Sequence, residues 1–438
     1  MNANITFNIR PGGALRGEIA IPGDKSISHR FVMLAALAQG ESFARGFLEG
    51  ADALATVAAF RAMGVSIDGP HNSELRIAGV GLHGLAAPGA ALDMGNSGTA
   101  MRLMAGILSG QQFDSSMVGD ESLSQRPMRR ITEPLAQMGA RITTEADGTP
   151  PLHIAGAGSA LRTIDYAMPV ASAQVKSSIL LAGLYAHGAV TVHEPAPTRD
   201  HSERMLGAFG KQVEVTNGRV SITGGGELQA QQVVIPADIS SAAFFLVGGS
   251  IVPKSRLLLR GVGLNPTRTG AVDILRAMGA DITVHDERLE GGEPVADLEV
   301  AYAALRGISI APELVPLAID ELPVLMVAAA CAMGQTVLRG AKELRVKESD
   351  RIATTVAGLR SLGVEVEEFD DGMCVQGGSL AGGTVDSHGD HRIAMAFAMA
   401  AMASSGAVRI QDCANVDTSF PNFASLCASA GMDIEVAG

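Results

Sequence analysis

Six short polar phrases stand along the 438-residue chain, and each runs into an apolar stretch. They are KSISHR from Lys25, NSGTAMR from Asn96, SAQVK from Ser172, ISS from Ile239, IDELP from Ile319 and DHRIA from Asp390. Hydroxyl and amide side chains just before an apolar run mark helix N-termini. A helix start offers free N–H groups and the positive end of the helix dipole, and the two together bind anions. Any one Ser or Asn could serve only as a cap. Lys, Arg, Gln, Asp and His interleaved in six such phrases exceed what capping requires. The chemistry they suggest is the holding of a small, multiply charged anion.

The remaining composition narrows the choice. The formal charge is −13 and no basic run exists, so neither a nucleic acid nor an anionic membrane is an expected partner. Cationic spots focused within an acidic chain suit a small anionic substrate. No GxxxxGK[ST] loop is present and no GxGxxG opens a helix, so nucleotide binding is not indicated. Cys331, Cys374, Cys413 and Cys427 form no CxxC or His-rich group, so no metal is expected and the thiols read as reduced and buried. The opening MNANITFNIRPGG carries no charged leader with an apolar stretch behind it, and no apolar segment reaches a membrane span. These features lead to the expectation of a soluble cytoplasmic enzyme.

The elements that position the polar phrases repeat. A helix-like stretch, a Gly and then an alternating strand recur at Gly64, Gly139, Gly210, Gly279, Gly363 and Gly431. The Gly reads as a helix C′ residue in the left-handed region, and the alternation behind it as a half-buried strand. Between these phrases lie runs that are apolar all round, such as FVMLAALAQG, LMAGILSG and AMAFAMAAMASSG. A helix of that kind is buried in a core. Most of the runs end at a Gly, namely Gly40, Gly110, Gly188, Gly334 and Gly406. Each repeat therefore holds an outer amphipathic helix, a buried helix with a polar start, and several strands. Six repeats exceed one core, so the spacing predicts three and three, with the crossing near Ala237–Ser240. The strand around Leu15–Ile21 could pair with either half.

The phrases are specific in combination. PGDKSISHR at 22–30, GNSGTAMRL at 95–103, QRPMRR at 125–130, SAQVKSS at 172–178 and TRDHSERM at 198–205 come first. NPTRTG at 265–270, AIDELP at 318–323, LRVKESDRI at 344–352 and DHRIAMAF at 390–397 follow. In this order they resemble the 5-enolpyruvylshikimate-3-phosphate synthases over essentially the whole chain. Ala173, the TRDH phrase, and Thr418 in place of a Lys make the chain similar to that family's more divergent bacterial subclass. The resemblance implies an α/β fold of two domains, each of three βαβαββ repeats with buried helices pointing to an interdomain cleft. Domain I would comprise residues 1–22 plus 240–438, and domain II residues 23–239. It also implies a monomer without a cofactor.

The reaction implied joins two phosphorylated substrates, phosphoenolpyruvate and 3-phosphoshikimate. The acceptor's 5-hydroxyl attacks C2 of the donor, and C3 gains a proton. The resulting tetrahedral adduct then loses phosphate and returns a C3 proton. By resemblance, Lys25, Ser26, Arg30, Ser172, Ala173, Gln174, Arg199, Asp320 and Lys347 bind 3-phosphoshikimate. Ala173 leaves only a backbone N–H at its position, with Lys176 or Arg199 in reserve to compensate. Phosphoenolpyruvate is assigned to Lys25, Asn96, Gly98, Thr99, Arg126, Gln174, Glu348, Arg351 and Arg392. Asp320, expected to begin a buried helix, resembles the base for the 5-hydroxyl. Glu348 resembles the shuttle for the methylene proton, and Lys25 completes the catalytic set. For Asp320 the ordinary alternative is a helix-start acid, and for Glu348 an i,i+3 ion pair with Arg351. Gly98 leaves space in the donor pocket, which implies sensitivity to glyphosate.

Two rival readings remain at this stage. A UDP-N-acetylglucosamine enolpyruvyl transferase would share the fold and donor, but a reactive Cys would be expected in the first half, and all four cysteines lie after residue 330. A non-enzymatic two-lobed anion-binding protein would not need the two carboxylates.

Overall fold

Twelve helices alternate between two kinds in the computed structural model, which describes residues 5–156 and 161–438. They are α1 (Lys25–Leu37), α2 (Ala51–Ala62), α3 (Gly98–Ser109), α4 (Arg129–Gln137), α5 (Ala173–Gly183) and α6 (His201–Ala208). Then follow α7 (Ile239–Ile251), α8 (Gly270–Ala277), α9 (Leu322–Ala330), α10 (Arg351–Ser361), α11 (His391–Ala403) and α12 (Phe423–Ala430). The odd-numbered helices are the apolar ones, and every residue of α7 and α9 is buried. The even-numbered helices bury one stripe. In α2 it is Asp52, Ala53, Thr56, Val57, Ala59 and Phe60, and in α12 Phe423, Cys427 and Ala430. That spacing is one face of a 3.6-residue helix.

Each even-numbered helix ends at the recurring Gly. Gly64, Gly139, Gly210, Gly279, Gly363 and Gly431 all have φ between +80° and +113°. At the first of them Gly64 N–H donates to Arg61 O (3.0 Å) and Val65 N–H to Phe60 O (3.1 Å). This pair of bonds closes a helix end through a left-handed residue, and a Cβ there would be strained. The glycines after the buried helices behave differently. Gly110 is the C-cap of α3, but α1 stops at Leu37 and passes directly into the strand Ala38–Arg45, which contains Gly40. Gly188, Gly334 and Gly406 lie in turns beyond their helices.

The chain divides into two compact units. Domain II is Gly23–Ile235 with Glu290–Gly292, and domain I is Met1–Pro22, Pro236–Leu289 and Glu293–Gly438. The second crossing therefore falls at Pro236, directly before the Ala237–Ser240 stretch. The reason is local. Ala237 exchanges backbone bonds with Gly261 and Gly263, Asp238 N–H donates to Pro22 O, and the Asp238 carboxylate caps α7. Each domain has its own apolar core.

In the second and third repeats the strands run in the order first, second, fourth, third. In the second repeat Leu92–Asp93 pairs in parallel with Ser115–Val118, which is antiparallel to Leu152–Ala155, itself antiparallel to Arg141–Thr143. The parallel pair requires a crossover, and the buried helix α3 supplies it. Distant segments complete three of the sheets. Leu228–Gln229 and Gln232–Val234 lie parallel to Ala38–Arg45 in domain II. In domain I Arg16–Ile19 lies parallel to the strand Arg256–Gly263. Thr6–Arg10, a strand the sequence pattern does not announce, fits between Val408–Gln411 and Asp433–Ala437. In domain I α7, α9 and α11 pack on one another, and in domain II α3 packs on α1 and α5. Gly106 brings α3 so close to α5 that a Cβ would stand 2.2 Å from Ser178 O.

Candidate active site

Five of the six buried helices start at a side chain that caps them. Asp24, Ser97, Ser172, Asp238 and Asp390 accept from the first-turn N–H groups of α1, α3, α5, α7 and α11. The ordinary capping role is thus filled, and the cations near the caps make contacts of their own. In domain II two arginines, Arg126 and Arg102, form one cluster. Arg126 Nη2 donates to Asn96 Oδ1 (2.7 Å) and Ser122 Oγ (3.1 Å), and Asn96 Nδ2 donates to Asp120 (2.8 Å). Gln174 Nε2 donates to Thr99 Oγ1 (3.1 Å), and Arg102 Nη1 donates to Gln174 Oε1 (3.0 Å). The starts of α3 and α5 are therefore stitched together around two guanidinium groups. A Cβ on Gly98 would lie 2.7 Å from Arg102 Nη1 and 3.4 Å from Arg126 Nη1, so the missing side chain keeps both arginines close to the helix start.

Lys25, Asp52 and His29 tie α1 to its neighbours. Lys25 Nζ makes an ion pair with Asp52, in the first turn of α2, whose second oxygen is buried without a hydrogen-bond partner. His29 Nδ1 contacts Thr56 Oγ1 (2.7 Å) in α2, and its Nε2 faces the cap Ser97 (3.4 Å). Burial, with Lys25 and Arg30 nearby, pushes the His29 pKa well below its usual value, so the ring is a neutral linker. Arg102, Asp52 and His29 were not singled out from sequence. The only available signal was their place inside the phrases GNSGTAMRL and KSISHR, or at a helix start.

One expectation in this domain needs correction. Lys176 does not compensate for Ala173. Its side chain is 1% exposed and ion-paired with Glu194 (3.0 Å) and Glu203 (2.5 Å). Burial raises the Glu203 pKa against the opposing pull of Lys176. Arg30 is also inward: Nε donates to Ser202 Oγ (2.7 Å), Nη2 to Ser177 Oγ (2.8 Å) and Nη1 to Ser26 O (3.0 Å). It ties α1 to α5 and α6 and fixes the backbone at Ser26. Ser26, Ser172, Ala173 and Arg199 are half-buried.

Domain I carries the carboxylates. Arg351, 1% exposed at the start of α10, donates through Nε to Asp390 Oδ2 (2.7 Å) and through Nη2 to Glu348 Oε2 (2.6 Å). Its Nη1 stands 3.4 Å from Asp320 Oδ1, which is also 3.4 Å from Lys347 Nζ. The i,i+3 pair of Glu348 with Arg351 therefore exists, but as one arm of a buried cluster rather than a surface pair. Burial alone would raise the Asp390 pKa; the Arg351 guanidinium overrides it and holds the carboxyl below its ordinary range. Burial works against the Arg351 charge, and Asp390, Glu348 and Asp320 together more than restore it. Asp320 does not begin α9. It sits in the turn before Glu321, the N-cap residue, and its backbone oxygen accepts from Arg392 Nη1 (3.2 Å). The start of α9 is shifted because Pro323 suits the first turn of a helix.

No thiol is poised as a nucleophile. Burial pushes Cys331 and Cys413 up to about 12 and Cys427 well above its usual value, and Cys374 is raised as well. Among the described residues, no helix is long and apolar enough to cross a membrane.

One unit thus carries stitched cations and the other a carboxylate cluster around a buried guanidinium, groups of the kind that bind anions and move protons. Residues 9–426 match the family described as EPSP synthase (3-phosphoshikimate 1-carboxyvinyltransferase). A 3-phosphoshikimate 1-carboxyvinyltransferase of Methylococcus capsulatus is 60% identical over 433 residues, covering 99% of each chain. One of Alkalilimnicola ehrlichii is 62% identical over 427 residues, 97% of this chain and 96% of its own. The solved EPSP synthase of Acinetobacter baumannii superposes with a TM-score of 0.90 at 53% identity, covering 99% of this chain and all of that one. The chain belongs to the EPSP synthase family.

The Asp390–Arg351 pair generates a prediction about stability and pH. Asp390→Asn leaves a buried guanidinium with weaker compensation and should destabilise the protein by about 3–5 kcal/mol at neutral pH. A depressed folded pKa contributes stability above the unfolded value, about 4, and loses it as pH falls through the folded value. Urea unfolding of wild type and variant should therefore show a gap at pH 7 that narrows below about pH 4. An equal gap at both pH values would contradict the assignment.

Proposed function

We infer that this enzyme transfers the enolpyruvyl group of phosphoenolpyruvate to the 5-hydroxyl of 3-phosphoshikimate and releases phosphate, in the shikimate pathway to aromatic amino acids. The observation that carries this reading is the joining of Asp320 and Glu348 through one buried guanidinium. The reaction requires two separate proton transfers, and both carboxylates are available to make them. The donor phosphate is held by Arg126 and by the N–H groups at Gly98 and Thr99, with Asn96 orienting Arg126. The donor carboxylate is taken by Arg392 and Arg351. The acceptor is bound by Lys25, Ser26, Ser172, Gln174, Arg199 and Lys347, and Arg30 holds Ser26 in place. Asp320 removes the 5-hydroxyl proton as that oxygen attacks C2. Glu348 delivers a proton to C3 and takes one back as phosphate leaves. Lys25, adjacent to both substrates, offsets the charge that develops on the bridging oxygens.

Phosphate release measured with phosphoenolpyruvate and 3-phosphoshikimate, against UDP-N-acetylglucosamine as acceptor, tests the reaction. Turnover is expected only with the shikimate ester. Asp320→Asn and Glu348→Gln should each lower turnover by roughly 10²–10⁴ with the circular-dichroism spectrum unchanged. Near-normal turnover in either variant removes that residue from its role.

A second outcome follows from Gly98. A methyl there would press on the Arg102 and Arg126 guanidinium groups that face the donor. Glyphosate, longer than the donor, needs that space more. Wild type should be sensitive, and Gly98→Ala should raise the glyphosate inhibition constant at least about tenfold more than the KM for phosphoenolpyruvate. A resistant wild type, or two constants rising together, would sink this idea.

A further inference from the structure

The phrase NPTRTG and the Glu of AIDELP have no part in the chemistry above, yet domain I brings them together in a buried polar group. Glu321 occupies the N-cap position of α9 but makes no capping hydrogen bond. Its carboxylate is fully buried. A buried carboxylate needs compensation. Ser240, in the first turn of α7, donates its hydroxyl to Glu321 Oε1. Two guanidinium groups flank that same oxygen: Arg268 Nη2 at 3.9 Å and Arg392 Nη1 at 3.7 Å. Glu321 Oε2 is buried with no hydrogen-bond partner.

The two arginines are not equivalent. Arg268 is buried and has a counter-ion of its own, Asp238, the cap of α7, at 3.2 Å. It also donates to Ser240 Oγ. Arg392 is the more exposed of the two, and its Nη1 is otherwise held by the backbone oxygen of Asp320. With Arg268 matched by Asp238, the charge of Glu321 is left to act on Arg392.

We propose that Glu321 is a positioning residue for the donor. Its buried carboxylate, fixed by Ser240 and Arg268, holds the Arg392 guanidinium in the orientation that receives the carboxylate of phosphoenolpyruvate. The proposal rests on the assignment of Arg392 to the donor. It places NPTRTG one step behind the site: Arg268 holds Ser240 and Asp238, Ser240 holds Glu321, and Glu321 holds Arg392. Charged groups coupled in this way lose their independence to mutation.

The test is a double-mutant cycle on the full chain, with KM measured separately for both substrates and thermal unfolding alongside. Arg392→Ala should raise the KM for phosphoenolpyruvate. Glu321→Gln, which keeps the shape and removes the charge, should raise it about 5- to 10-fold while the KM for 3-phosphoshikimate changes by less than about twofold. The double variant should be no worse than Arg392→Ala alone, because the positioned group is already gone. A purely structural Glu321 would lower the unfolding temperature and move both KM values, and its effect would add to that of Arg392→Ala; that result overturns the proposal. If Glu321→Gln does not fold, Ser240→Ala is put through the same cycle and judged by the same criteria. A normal phosphoenolpyruvate KM in Arg392→Ala would overturn the Arg392 assignment and the proposal with it. A raised KM there beside an unchanged one in Glu321→Gln would overturn the proposal alone.

Discussion

The buried guanidinium of Arg351 is the interaction on which the proposed chemistry depends. It faces three carboxylates with different duties. Asp390 lies fully buried against it, fixes its plane, and also caps α11. Glu348 and Asp320 are less buried. A Lys could not address three acceptors in one plane, whereas a guanidinium can. In the proposed reaction the same group sets the spacing of the two carboxylates that move protons and supplies positive charge beside the anionic donor. On that proposal stability, acid–base geometry and donor recognition in domain I share one side chain.

The fold supplies the setting by repetition. Each repeat buries one apolar helix, and burial on all sides fixes that helix's position along its length as well as its face. Its first turn is consequently a well-defined place for polar atoms. Caps at Asp24, Ser97, Ser172, Asp238 and Asp390 satisfy the first-turn N–H groups, and longer side chains next to them are held by hydrogen bonds such as those of Gln174 with Thr99 and Arg102. Domain II uses this arrangement to collect cations and domain I to collect carboxylates.

Much of this was legible in the sequence because it depends on local rules. The glycines at 64, 139, 210, 279, 363 and 431 announce left-handed helix ends, and all six adopt that conformation. Runs apolar on every face announce buried helices. What was not legible depends on pairing between distant segments. Thr6–Arg10 is a strand only because Val408–Gln411 and Asp433–Ala437 flank it. Lys176 reads as an available cation in SAQVKSS, and only the fold shows Glu194 and Glu203 closing over it. Asp52 and Arg102 resemble ordinary helix residues until Lys25 and Gln174 are placed beside them. The offset of Asp320 from the start of α9 likewise follows from the turn before Pro323, which the motif alone does not reveal.

The central claim is that Arg351 organises both carboxylates and is more than a cation for the donor. Steady-state kinetics of Arg351→Lys test it most directly, because the charge is kept while the three-way fork is lost. The account predicts that kcat falls by at least about 10²-fold in a protein that still folds, since both proton-transfer groups lose their common anchor. A variant whose kcat stays within about tenfold of wild type while only the KM for phosphoenolpyruvate rises would show that Arg351 merely binds the donor. That result would contradict the account.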